Sequence, residues 1–136
     1  MKYFTIDELC HSDTAILRHI SNSPDPESVS NLVSLIENVL DPLRESFGKP
    51  IYVNSGYRSK TLNTIVGGST TSQHLTGQAA DITARDKRDN RILFDLLKRQ
   101  GNFDQLIWEK GGSLYPDWVH VSFSTISNRR QILHLK

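Results

Sequence analysis

The sequence predicts one α+β domain spanning residues 1–136, with a small, mainly antiparallel sheet flanked by helices. Three observations lead there. Helical and strand-like stretches are mixed without the regular alternation of a parallel α/β fold. The strand-like stretches are short, the clearest being residues 103–109 and 118–124. The 136 residues suffice for one core, and no repeat, low-complexity segment or linker divides them.

Taken in order, Thr5 and Glu8 have the spacing of a capping box, which predicts a short helix there. Residues 21–25 form a loop, and Asp25 followed by Pro26 is a strong helix start. Val29, Leu32, Val33, Ile36, Val39, Leu40, Leu43 and Phe47 mark one apolar face of that helix. Pro42 has no N–H to donate and is expected to kink or split it, with Gly48 and Pro50 closing it. Residues 51–54 read as a strand leading into Ser55-Gly56-Tyr57-Arg58, residues 60–66 as a short helix, and residues 67–72 as a flexible loop. In a strand at residues 79–84, Asp81 and Thr83 share one face while Ala80 and Ile82 share the other. Asp89 is expected to cap a helix carrying Ile92, Leu93, Leu96 and Leu97, which stops at Gly101. A last strand, residues 131–135, is expected to pair back across a turn at Asn128.

Composition narrows the function. A hydrophobic share of 37% and a charged share of 23% are ordinary for a soluble globular chain. The net charge of +1, without a basic block, argues against nucleic acid, whose binding needs a clustered basic face. No apolar run is long enough to span a bilayer. Cys10 is the only cysteine, so an intrachain disulfide and a thiolate-rich metal site are excluded. The opening, Met1-Lys2-Tyr3-Phe4-Thr5-Ile6-Asp7-Glu8, lacks the apolar segment of a signal peptide. The chain is therefore expected to be made in the cytoplasm, and to work as a monomer.

Three polar features stand where a core does not need them. Residues 72–81 place His74 in a glycine-containing loop and Asp81 on the strand that follows. In the strand after Asp117, Trp118, His120 and Ser122 face away from Val119, Val121 and Phe123. The turn Ser55-Gly56-Tyr57-Arg58-Ser59 presents an arginine. Singly, each has a bland explanation: a histidine bonded to a backbone carbonyl, a turn aspartate, a surface ion pair. Together they meet the needs of metal-assisted hydrolysis. Catalytic zinc takes three protein ligands and leaves one position open; His74, Asp81 and His120 would supply two imidazoles and a carboxylate. A second carboxylate must stay off the metal and accept a proton, and Asp117 stands three residues ahead of His120. Arg58 is suited to hold a substrate carboxylate or polarise the scissile carbonyl. Glu109, at the end of a strand, is either a cleft residue or a surface carboxylate. His11, His19, His134 and Cys10 take structural readings, while Trp108, Trp118 and Tyr57 are candidates to wall the cleft.

These three segments, in this order, resemble peptidase family M15, the zinc D-Ala-D-Ala carboxypeptidase and L-alanyl-D-glutamate endopeptidase family. The carrying motifs are Ser55-Gly56-Tyr57-Arg58-Ser59, the Ser-x-His-x-x-Gly-x-Ala-x-Asp pattern from Ser72 to Asp81, and Asp-x-x-His from Asp117 to His120. The resemblance implies a Hedgehog/DD-peptidase-like fold and one zinc ion per chain, bound by His74, Asp81 and His120. It implies Asp117 as catalytic base, Arg58 as substrate-binding and transition-state-stabilising residue, and Ser72 and Gln73 as substrate contacts. The expected substrate is the stem peptide of bacterial peptidoglycan, reached after the protein is released, as by a phage or prophage endolysin. Two other readings share this resemblance: a non-catalytic, metal-containing binding module, and a cytoplasmic D-Ala-D-Ala dipeptidase.

Overall fold

Helix starts in the computed structural model, which describes residues 1–136, follow the local signals of the sequence. The Thr5 hydroxyl accepts the Glu8 N–H at 3.1 Å to open α1 (Ile6–Cys10), and Ser12 caps α2 (Asp13–Leu17) in the same way. The Asp25 carboxylate accepts the Ser28 N–H at 2.7 Å to open α3 (Pro26–Leu35). The regular α-helix is split ahead of Pro42, as expected, without the chain leaving helical conformation. A π turn, Ile36–Leu40, precedes α4 (Asp41–Phe47), and the Asp41 N–H reaches back five residues to the Ile36 carbonyl. Pro42 then falls in the first turn of α4, where its missing donor costs nothing. Gly48 ends α4 in the left-handed region, φ 74°.

One expected cap fails. Asp89 has helical dihedrals and makes no capping bond to α6 (Asn90–Gln100), whereas a capping aspartate needs extended backbone. The cap lies upstream: Asp86 accepts the Arg88 N–H at 3.0 Å and starts a 3₁₀ turn, Lys87–Asp89, that feeds α6.

The strands are β1 (Ile51–Ser55), β2 (Ala79–Ala84), β3 (Gln105–Glu109), β4 (Trp118–Ser122) and β5 (Gln131–Leu135), in sheet order β1-β2-β4-β3-β5. Every pairing is antiparallel except β3 with β5. The last strand therefore does not pair back on β4. Both edges of β4 are occupied, by β2 and β3, so the chain crosses to the free edge of β3 and runs parallel to it, Gln105 opposite Gln131. This crossover is pinned by Asp104, whose carboxylate takes the backbone and guanidinium N–H groups of Arg129 at 2.8–2.9 Å.

One face of the sheet is a dry core. Ile82, Leu106, Val119 and Val121 pack under Leu32, Ile36, Leu40, Leu93 and Leu97 of the helices. Strand alternation turns Asp81, Ile107, Glu109, Trp118 and His120 to the opposite face. There Arg58, just ahead of a short helix, α5 (Lys60–Ile65), and a 3₁₀ turn, Gln73–Thr76, border an open cleft of about 580 Å³. No helix is long and apolar enough to cross a membrane.

Candidate metal centre

His74, Asp81 and His120 come together at the floor of this cleft, with one potential ligand atom from each all within 4.8 Å of one another. Asp81 and His120 are direct cross-strand partners on β2 and β4. Asp81 Oδ1 lies 2.9 Å from His120 Nδ1, and Asp81 Oδ2 lies 3.3 Å from His74 Nε2. The two imidazoles meet edge to face, with centroids 5.2 Å apart. His74 is brought in by the 3₁₀ turn, which the Ser72 hydroxyl caps by accepting the His74 N–H at 3.2 Å. Its ring is aimed from behind: Nδ1–H donates to the Gly56 carbonyl at 2.7 Å, which leaves Nε2 as the free donor to a metal. Only glycine fits at position 56, because a Cβ there would collide with the Leu9 carbonyl oxygen.

Burial on its own raises the Asp81 carboxyl, but the hydrogen bonds and charges of His120 and His74 outweigh it and hold the group well below the usual carboxylate range. It is thus ionised, as a ligand must be. Two imidazoles and one carboxylate, mostly buried and open on one side, match the donor set of a catalytic zinc site.

Arg58 closes one flank. Its Nε donates to the Ser55 hydroxyl at 3.0 Å, Nη1 to the Asn63 side-chain carbonyl at 3.2 Å, and Nη2 lies 3.5 Å from Asp81 Oδ2. Burial lowers its pKa, against the pull of Asp81, but the group remains a cation. Ser72 and Gln73 line the cleft, and Gln73 Nε2 donates to Asp104 at 2.8 Å. Trp118 also walls it. Trp108 does not: it faces the core, between Phe94 and His134 at ring distances of 5.3 and 5.2 Å. Tyr57 packs against the core cluster instead.

The Asp117 carboxylate is 3.8 Å from Lys87 Nζ and borders a hollow with Gly111, Leu114 and Tyr115. Period-two alternation keeps residues 118 and 120 on the cleft face, while Asp117 stands just ahead of β4, outside the strand. Glu109, by contrast, lines the cleft. So do Gln105 and Arg129, which the sequence reading did not single out. Their signal was the alternation Gln105, Ile107, Glu109 along β3.

A third feature the reading missed is Asn22. Its amide donates to the Cys10 and Tyr57 carbonyls at 2.8 and 3.0 Å, and its oxygen accepts the Ser59 N–H at 2.7 Å. It thereby fixes the arginine turn against the first helices. The remaining candidates are structural. His11 pairs with Asp13 at 2.9 Å. The half-buried Cys10 thiol is pushed up to about 11 by burial and the nearby Asp7 charge, so it is a poor nucleophile.

A His-Asp-His cluster beside a cationic clamp forms a candidate metal centre in an α+β fold. The family model for peptidase M15 matches residues 2–122, and the chain belongs to that family. It is 50% identical over 46 residues to the zinc D-Ala-D-Ala carboxypeptidase of Streptomyces albus G; the matched stretch is 33% of this chain and 18% of that protein.

Proposed function

We propose that this protein is a zinc peptidase that hydrolyses peptide bonds in the stem peptides of bacterial peptidoglycan, as a D-Ala-D-Ala carboxypeptidase or an L-alanyl-D-glutamate endopeptidase. The observation that carries the reading is the ligand trio within 4.8 Å on the floor of an open cleft, with Arg58 on its flank. Similarity to a zinc D-Ala-D-Ala carboxypeptidase supports the choice of metal and substrate class. His74, Asp81 and His120 would hold the ion, which when bound supplies a Lewis acid and lowers the pKa of water to about 7. Arg58, held by Ser55 and Asn63, is placed to bind a substrate carboxylate or carbonyl oxygen with its cleft-facing N–H groups. Ser72 and Gln73 would contact the peptide along the same wall. An endolysin role belongs to this proposal, since the substrate lies outside the membrane.

The test is incubation of the zinc-loaded protein with purified muropeptides, followed by mass spectrometry. Release of a terminal D-Ala identifies a carboxypeptidase; a stem peptide freed of L-Ala identifies an endopeptidase. Protein that binds one zinc yet cuts no muropeptide would overturn the reading in favour of a non-catalytic binding module.

A further inference from the structure

Two arginines line the cleft, and only Arg58 has been given a role. The other, Arg129, lies beyond the residues that the family model matches. Arg58 stands beside Asp81 of β2, near the β1 edge of the sheet. Arg129 stands two residues ahead of β5, at the opposite edge, bound to Asp104 just ahead of β3. In sheet order, Asp81 and His120 therefore lie between the two cations. Neighbouring strands are about 4.8 Å apart, so β3 lies roughly 10 Å from β2. An extended peptide covers that distance in about three residues.

The Arg129 guanidinium is held in one orientation. Nε and Nη2 each donate to an Asp104 oxygen at 2.9 Å. Asp104 is itself buried, and it also accepts Gln73 Nε2 at 2.8 Å, which ties the pair to the turn that carries His74. A guanidinium has five N–H donors, and Asp104 takes two of them. The edge formed by Nη1 and the second Nη2 proton makes no bond within the chain, and 57% of the side chain is exposed. Pinning the crossover accounts for the edge turned to Asp104 but not for a second, preorganised edge on a residue of the cleft wall. Two parallel N–H groups match a carboxylate or a phosphate, and of these a peptide carries the carboxylate. Little nearby competes for it: Glu109 lies at the opposite end of β3 from Asp104.

We infer that Arg129 is a specificity-determining residue that binds a free carboxylate of the substrate about two or three residues from the bond at the His-Asp-His cluster. The preferred substrate is then an acidic peptide whose carboxylate is free rather than amidated; the assignment rests on the peptidase reading. In a stem peptide that carboxylate is the α-carboxylate of γ-linked D-glutamate or the second carboxylate of diaminopimelate. Arg129 acts by binding alone and takes no part in the bond that breaks.

The experiment measures kcat and KM of wild type, Arg129→Gln and Arg129→Lys on two matched pairs of stem peptides. One pair carries D-isoglutamate or D-isoglutamine, the other diaminopimelate or its monoamide. In wild type, amidation at one of the two sites is expected to raise KM about 10-fold or more with kcat nearly unchanged, as loss of a charged partner away from the reacting atoms does. The pair that responds identifies the carboxylate. Arg129→Gln should bring that amide-to-acid ratio of KM to about 1, and Arg129→Lys should keep part of it. Damage to the crossover alone would shift both members of a pair alike, and a ratio unchanged in Arg129→Gln would overturn the inference. A wild-type ratio near 1 in both pairs would overturn it without any variant having to fold. If wild type cuts neither pair, the peptidase reading falls, and calorimetric binding of the same peptides to the zinc-loaded protein still reads the ratio. A preference for the acid that Arg129→Gln loses would then support Arg129 as a carboxylate subsite, and no preference would overturn it.

Discussion

The two faces of the five-stranded sheet are built from the same strands but answer to different demands. The helix-covered face is aliphatic, and Leu106, Ile82, Val119 and Val121 are fully buried there. The cleft face puts Asp81, His120, Glu109 and Trp118 at alternate positions of those strands. Packing explains the first face completely. It explains nothing about the second, where a carboxylate, two imidazoles and a guanidinium are crowded at a cost in desolvation. Where folding alone does not require an arrangement, the arrangement is chemical.

Substitutions on the two faces should therefore fail in different ways. The largest expected effect is at the ligands. His120→Ala should lose stoichiometric zinc, measured by metal analysis after dialysis, and with it all muropeptide cleavage. Retention of tight zinc by that variant would break the comparison at its centre.

Next is the core face. Leu106→Ala should cost about 2–5 kcal/mol in denaturant unfolding, while the protein that remains folded binds zinc with wild-type stoichiometry. If zinc binding vanished in folded Leu106→Ala, the two faces would not be separable.

The smallest effect falls at the sheet's edge. Asp104→Asn should destabilise by about 1–3 kcal/mol at neutral pH, because it removes the charged acceptor that holds Arg129 and Gln73. The Arg129 hydrogen bonds, outweighing burial, lower the Asp104 carboxyl from its ordinary value to about 2. Its contribution is thus complete above about pH 4. It fades as the pH falls toward 2 and the folded-state carboxylate takes up its proton. The stability gap between wild type and Asp104→Asn should narrow over that window, and a gap independent of pH would show that the ion pair is not its source.

Much of this was legible in the residues. Thr5, Asp25 and Gly48 announce helix ends through local bonding, which sequence records directly. His74, Asp81 and His120 are visible because polar side chains interrupt otherwise core-forming segments. What stayed hidden was non-local. The parallel docking of β5 depends on β4 having both edges filled, which no property of residues 131–135 reveals. The anchor of that crossover, Asp104, looks in sequence like any loop aspartate. That Glu109 lines the cleft was equally hidden, since only the β3–β4 register shows it. Asp89 was misjudged because a residue already in helical conformation cannot act as the cap.

The register that sets Asp81 opposite His120 joins the two central strands, with β1 and β3–β5 outside them. An ion held by that pair would act as a cross-strand clamp on the middle of the sheet, binding the folded state and adding stability by mass action. The edges would stay outside its reach. Amides of β5 could then exchange with solvent through local opening while those of β2 and β4 exchanged only when the clamp released. The metal would thus set the slowest opening event of the whole domain as well as its chemistry.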